Sequence, residues 1–326
     1  MGSYKILVAD SVSQEGIDEL KKHPEFDVVV NTKHTKEELM VLIPQFHGIL
    51  VRSATKLPAD VLQVAKNLKA IARAGTGVDN IDTKEAAKLG IAVMNTPTGN
   101  SVAVAELTLG YMLDFARHIS VARQSMIEGR WDKKKYKGTE LSGKTLGILG
   151  LGRIGGLVAE RAKVFGMEII AFDKYITKER ATEFGADLLE NFESFLKKSD
   201  YISMHLPLTP ETKNMFDTPQ FEILKPTCCL INISRGGIVN EDTLVTALKE
   251  GKIGGACIDV YSKEPATPDD FEFIGLPNCI TTPHLGASTV EAGIKVGTVA
   301  ADHIAQVLLE KKYPDCVNIK DMTTPR

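Results

Sequence analysis

Residues 145–155 read Thr-Leu-Gly-Ile-Leu-Gly-Leu-Gly-Arg-Ile-Gly, an apolar run passing directly into the motif Gly150-x-Gly152-x-x-Gly155. A glycine hexapeptide alone is weak, because such runs arise often by chance. Here it follows a strand pattern over 146–149 and opens a helical pattern through Val158, Ala162 and Phe165, the context that dinucleotide binding requires. Gly150 would make the tight turn, Gly152 would let backbone approach a pyrophosphate, and Gly155 would let helix pack on strand. The helix N-terminus would then offer unpaired N–H donors and a partial positive charge to the phosphates. Asp173 ends the next apolar run, 169–172, where a carboxylate can accept hydrogen bonds from ribose hydroxyls. A 2′-phosphate there would meet a like charge, so NAD is expected over NADP, with the neighbouring Lys174 softening the preference.

Outward from that loop, short β-branched runs alternate with amphipathic stretches. One series covers 5–9, 27–30, 49–52, 70–74 and 91–95; a second covers 145–149, 168–172, 201–205, 228–233, 256–260 and 279–282. Continuous apolar strands separated by helices indicate parallel sheets built from βαβ units. The fold class is therefore α/β with two doubly wound units, as 326 residues also suggest, since single cores usually stop growing before that length. Between the series, 100–118 has helical apolar spacing and so many apolar residues that both faces need covering, which predicts a buried interdomain or subunit interface. A last helical pattern runs over 290–309.

Composition excludes other classes. Hydrophobic residues at 43% and charged residues at 25% exclude disorder, and 39 basic against 42 acidic side chains leave no global field for nucleic acid or an anionic membrane. The most apolar stretch, 101–116, carries Glu106 and Asp114, so no membrane helix is expected, and the N-terminus lacks the apolar core of a signal peptide. Five cysteines, Cys228, Cys229, Cys257, Cys279 and Cys316, show neither CxxC nor zinc-ligand spacing. A reducing, cytoplasmic setting fits; no metal site and no thiol chemistry are assigned.

Oxidising an alcohol removes a hydride from carbon and a proton from oxygen, which calls for a base that works near neutrality. Of seven histidines, His284 stands out, because Thr281-Thr282-Pro283-His284-Leu285-Gly286 follows the last strand pattern at a carboxyl end, where open α/β sheets place their ligands. Arg235 ends another strand and precedes Gly236-Gly237; its fork can hold a carboxylate. Glu264, after the strand ending near Val260, reads on its own as a solvated loop acid. Sequence spacing does not bring these three together.

Taken in order, Arg52-Ser53-Ala54-Thr55-Lys56, Arg73-Ala74-Gly75-Thr76-Gly77-Val78-Asp79-Asn80, Asn100-Ser101, Gly138-Thr139-Glu140-Leu141, the glycine loop, Ser234-Arg235-Gly236-Gly237, Glu264-Pro265 and 283–289 resemble the D-2-hydroxyacid dehydrogenase family, most closely its phosphoglycerate dehydrogenase branch. The resemblance implies a Rossmann NAD-binding domain, 99–285, inserted in a flavodoxin-like substrate domain, 1–98 with 286–326. It implies that Arg235 binds the substrate carboxylate, that His284 is the acid/base and that Glu264 partners its imidazole. Thr76, Arg153, Ile154, Leu206, Pro207, Ile233 and Asp259 match cofactor-contacting positions, alongside Gly150, Gly152, Gly155 and Asp173. Arg52, Ser53, Arg73, Gly75 and Asn100 match the substrate side. His205 is then expected to line the site without acting as a second base.

The branch implies oxidation of 3-phospho-D-glycerate to 3-phosphohydroxypyruvate, the first step of serine synthesis, by a homodimer. In it, the basic run Arg130 with Lys133-Lys134-Lys135 would approach the neighbour's phosphate; read plainly, it is a solvated face. The alternatives are a glyoxylate or hydroxypyruvate reductase and, from another class, an NAD-sensing corepressor. With only a short tail after the catalytic pattern, feedback by serine through an added C-terminal domain is not expected.

Overall fold

In the computed structural model, residues 4–322 and 324–326 are described; the reading of Met1-Gly2-Ser3 as free of a leader falls outside them. The chain divides into two compact units, one of Met1–Asn100 with Ala287–Arg326 and one of Ser101–Gly286.

The first unit is a five-stranded parallel sheet of β1 (Tyr4–Val8), β2 (Phe26–Val30), β3 (Gly48–Val51), β4 (Ala70–Arg73) and β5 (Ala92–Met94), in the order β2-β1-β3-β4-β5. This is the flavodoxin-like order, with its reversal between β1 and β3. The central strands are apolar on both faces because helices cover both: Ile6, Leu7, Ile49, Leu50 and Ile71 are all fully buried. Each such side chain contributes about 1.5–3 kcal/mol relative to exposure. Helix Val290–Ala305 packs on helix Gln14–Lys21 so closely that a Cβ on Gly16 would lie 2.8 Å from the Gly297 carbonyl carbon. The apolar pattern expected as one helix over 290–309 continues beyond Ala305 as a π-helical turn, Gln306–Glu310, ended by left-handed Lys311.

The second unit holds β6 (Thr145–Leu149), β7 (Glu168–Phe172), β8 (Asp187–Leu188), β9 (Tyr201–Met204), β10 (Cys229–Asn232), β11 (Gly255–Ile258) and β12 (Cys279–Thr281), all parallel, in the order β12-β11-β10-β9-β6-β7-β8. The reversal lies between β6 and β9, as in a Rossmann sheet carrying one extra strand. Helix Ser101–Arg117 belongs to this unit and buries Val104, Leu109, Tyr111 and Met112 in the core under β10 and β11. Sequence reading omitted β8, because a two-residue strand leaves no periodic signal.

Candidate active site

The glycine loop leaves β6 at the reversal of the seven-stranded sheet. Gly150 has φ +90°, and a Cβ there would press on the His205 carbonyl oxygen at 2.7 Å. On Gly155 a Cβ would lie 2.3 Å from the Gly150 carbonyl oxygen, so this position sets how near the helix Arg153–Val164 comes to the strand. At Gly152 a Cβ would meet nothing within 4 Å. Protein packing thus explains two of the three glycines, while the third faces open space at a helix N-terminus, the place where a pyrophosphate would need the backbone bare. Arg153 and Ile154 form the first turn of that helix. At the end of β7, Asp173 accepts the Leu151 N–H on Oδ2 and the Tyr175 N–H on Oδ1, both at 2.8 Å. Each oxygen retains a lone pair for a ribose hydroxyl. Loop, helix and acid fit a dinucleotide.

A second group of side chains gathers at the ends of β11 and β12. His284 Nδ1 lies 2.8 and 3.0 Å from the two Glu264 oxygens, and Glu264 Oε1 also accepts the Tyr261 N–H at 3.2 Å. The ring is 46% exposed, with no hydrogen bond recorded on Nε2 among the described residues. A carboxylate at Nδ1 orients the imidazole and fixes its tautomer, leaving Nε2 open to take and return a proton. The histidine backbone is left-handed, φ +55°, a conformation that costs a non-glycine residue about 1–3 kcal/mol.

The compensation for that conformation is visible next to it. Asp259, fully buried after β11, accepts Leu285 N–H at 2.7 Å and Thr282 Oγ1 at 2.5 Å on Oδ1, and Gly286 N–H at 2.8 Å on Oδ2. Tyr111 adds its hydroxyl to Asp259 Oδ1 at 3.4 Å and contacts the Thr282 hydroxyl closely. Burial and the Asp259 charge push the Tyr111 phenol far above its ordinary pKa, so it stays a donor. One carboxylate therefore ties the turn on both sides of His284.

Arg235 stands after β10 on a loop fixed from beneath by buried Asn232, which accepts from Ser234 N–H at 3.2 Å and donates to the Arg235 carbonyl at 2.8 Å. A Cβ on Gly236 would fall 2.0 Å from the Tyr261 carbonyl carbon and oxygen. The arginine loop thus rests on the backbone that leads to Glu264. These contacts link Arg235, Glu264 and His284 into one assembly across a span of sequence where spacing gave no hint of it. Ile233, nearly buried, approaches Gly286 from the same side.

His205, with Leu206 and Pro207, follows β9. Its Nε2 lies 2.8 Å from the Ser203 hydroxyl, while Nδ1 is shut from solvent without a hydrogen-bond partner in the described structure. Desolvation holds this imidazole down to a pKa of about 3, so it stays neutral where a proton-shuttling base must cycle. Three of the cysteines are equally unsuited to nucleophilic work: burial pushes Cys228 up to about 12 and raises Cys229 and Cys279 as well.

Thr76 and the residues expected on the substrate side lie in the five-stranded unit, and the basic run 130–135 in the other. Thr76 Oγ1 donates to Asn100 Oδ1 at 2.7 Å, and the Gly75 carbonyl accepts Thr96 N–H at 2.9 Å. Arg73 folds over Gly75, where a Cβ would collide with Nη1 at 1.7 Å. Arg52 and exposed Ser53 follow β3, next to the sheet's reversal. Arg130 is paired with Glu128 and Asp132, and Lys135 with Asp132, so part of the basic run is locally neutralised. No group of side chains suited to a metal ion occurs among the described residues, and none of their helices is long and apolar enough to cross a membrane. Sequence reasoning missed Tyr111, Thr282, Asn232 and Tyr261; for the last three the available signal was a polar residue at or just past the end of an apolar strand, and for Tyr111, inside a helix, there was none.

Residues 109–286 match the model of the D-isomer specific 2-hydroxyacid dehydrogenase NAD binding domain. The chain is similar to D-3-phosphoglycerate dehydrogenase of Methanocaldococcus jannaschii, 45% identical over 98% of this chain and 60% of that one. The corresponding human protein is 42% identical over 98% of this chain and 59% of its own length. The chain thus spans about three fifths of the length of the curated relatives it matches. Among solved structures, a glyoxylate reductase from Paecilomyes thermophila superposes with TM-score 0.88 at 25% identity, covering 98% of this chain and all of that one. The TT0316 protein of Thermus thermophilus gives the same TM-score at 32% identity, covering 96% and 99%.

Proposed function

This chain belongs to the D-2-hydroxyacid dehydrogenase family, and from that premise we propose that it oxidises 3-phospho-D-glycerate to 3-phosphohydroxypyruvate with NAD, the first step of serine synthesis. The observation that carries the chemistry is the His284–Glu264 pair, held in the same unit as the glycine loop. His284 Nε2 accepts the C2 hydroxyl proton while Glu264 steadies the imidazolium through Nδ1. Arg235 binds the substrate carboxylate and polarises the C2 oxygen with its fixed positive charge. Bound NAD supplies the hydride acceptor. The cofactor set is Thr76, Gly150, Gly152, Arg153, Ile154, Gly155, Asp173, Leu206, Pro207, Ile233 and Asp259, and Asp173 gives the preference for NAD. Arg52, Ser53, Arg73, Gly75 and Asn100 form the substrate set, in which two guanidinium groups suit an acid that also carries a phosphate.

The protein is proposed to act as a cytoplasmic homodimer. Val102, Ile119, Val121, Met126, Ile127 and Trp131 are exposed on or beside the helices Ser101–Arg117 and Ile119–Ile127, an apolar surface that a second copy would cover. The superposition with a glyoxylate reductase supports a second reading, reduction of a small unphosphorylated 2-oxo acid. NADH consumption across phosphohydroxypyruvate, hydroxypyruvate, glyoxylate and pyruvate separates the two: a higher kcat/KM for phosphohydroxypyruvate is expected, and preference for an unphosphorylated acid overturns the substrate assignment. Parallel assays with NADPH test Asp173, whose role fails if NADPH is strongly preferred.

A further inference from the structure

In the five-stranded unit, the loop after β3 is held along both edges of its backbone. On one edge the buried Asp10 carboxylate accepts the N–H of Arg52 at 2.5 Å, the N–H of Thr55 at 3.0 Å and the Thr55 hydroxyl at 2.7 Å. On the other edge the Asn80 side-chain amide donates to the carbonyls of the same two residues, Arg52 at 2.8 Å and Thr55 at 2.7 Å. Arg52 Nη1 also donates to the carbonyl of Ser11, the residue after Asp10, at 3.3 Å. Two side chains from distant parts of the sequence thus satisfy both backbone groups of Arg52 and of Thr55, and Ser53 and Ala54 project between them into solvent. None of the four non-glycine residues has positive φ, so the grip does not compensate local strain.

We propose that Asp10 and Asn80 are positioning residues that hold the 52–55 loop in a single conformation, so that Arg52 and Ser53 meet the anionic end of the substrate already in place. The inference rests on the substrate set named above and adds to it the pair that makes the loop rigid. A loop ordered before binding gives up little conformational freedom when its ligand arrives, so preorganisation appears as affinity. Loosening the grip should therefore act on KM more than on kcat.

The test compares Asn80→Ala and Asp10→Asn with Thr55→Ser, the conservative change that keeps the hydroxyl donor. Amide hydrogen exchange over the 50–57 segment reads the grip directly. Exchange at Arg52 and Thr55 should quicken by about tenfold or more in the first two variants and stay near wild type in Thr55→Ser. KM for phosphohydroxypyruvate should rise about tenfold with a smaller fall in kcat, and KM for hydroxypyruvate should move less. Unchanged exchange in both variants, or a fall in kcat with KM unmoved, overturns the proposal. If Asp10→Asn fails to fold, Asn80→Ala alone decides. Wild-type enzyme that does not favour the phosphorylated acid refutes the substrate reading, while the exchange measurement still judges the grip.

Discussion

Asp10 and Asp259 occupy matching places in two different sheets. Each is a buried carboxylate just past the end of a parallel strand, β1 in one unit and β11 in the other, and each accepts backbone N–H groups from the loop after the adjacent strand, β3 or β12. The surroundings differ. Asp10 shares its loop with Asn80, which satisfies the carbonyl side, and the held residues have ordinary backbone angles. Asp259 is backed by the hydroxyls of Thr282 and Tyr111, and its loop contains left-handed His284. A buried ionised group is costly unless its lone pairs are filled, and here loop backbone fills them. One device therefore serves two ends: keeping an unstrained loop still, and stabilising a strained residue whose imidazole must point one way.

The proposed function gives chemistry to the His284 loop and binding to the Arg52 loop, and the largest expected effect tests that division. His284→Ala or Arg235→Ala should lower turnover at least about 100-fold in steady-state assays. Near-wild-type turnover in either variant would remove the chemical half of the comparison.

Asp259→Asn should come next. The amide presents a donor where two N–H groups and two hydroxyls converge, so the variant should lose about 2–4 kcal/mol of stability by denaturant unfolding and lower kcat by more than it raises KM. A loss confined to KM would make the two carboxylates alike in role. Tyr111→Phe removes one weaker member of the same group and should cost about 1 kcal/mol with a few-fold fall in kcat. A Tyr111→Phe loss as large as that of Asp259→Asn would shift the weight from the carboxylate to the phenol.

A last effect, on stability and not on turnover, concerns His205, which borders the glycine loop and belongs to neither grip. Its folded-state pKa of about 3 lies below the ordinary imidazole value of 6.5, so the unfolded chain binds a proton that the folded one refuses. Its contribution to stability is complete above pH 6.5 and is lost as pH falls from there toward about 3, by at most about 1.4 kcal/mol per unit. The urea midpoint of His205→Asn should therefore vary less with pH than that of wild type between pH 6.5 and 4. Parallel curves would show that this ring protonates in the folded state.

Both parallel sheets, β8 apart, were legible in the sequence because their buried strands are short apolar runs that alternate with amphipathic helical stretches. Strand ends shifted by one or two residues, as they do wherever a ladder frays: the run 70–74 is Ala70–Arg73 and the run 256–260 is Gly255–Ile258. The glycine loop and Asp173 could be read because their spacing is local. The neighbours of His284 could not. Glu264 reaches it from another loop, and Tyr111 comes from a helix far earlier in the chain, where it reads only as one apolar-face residue among several. Asp10 and Asn80 remained silent for the same reason: their partners are backbone groups, which leave no trace in residue identity.

Gly236 has a practical meaning for anyone wishing to regraft this chemistry. With no room for even a methyl group against Tyr261, a graft of segment 232–237 keeps this contact only where glycine stands at 236 and the Tyr261 backbone lies as it does here. A cassette that carries 232–237 together with 259–286 brings both sides of the seam with it. The unit of transplantation is thus larger than either loop.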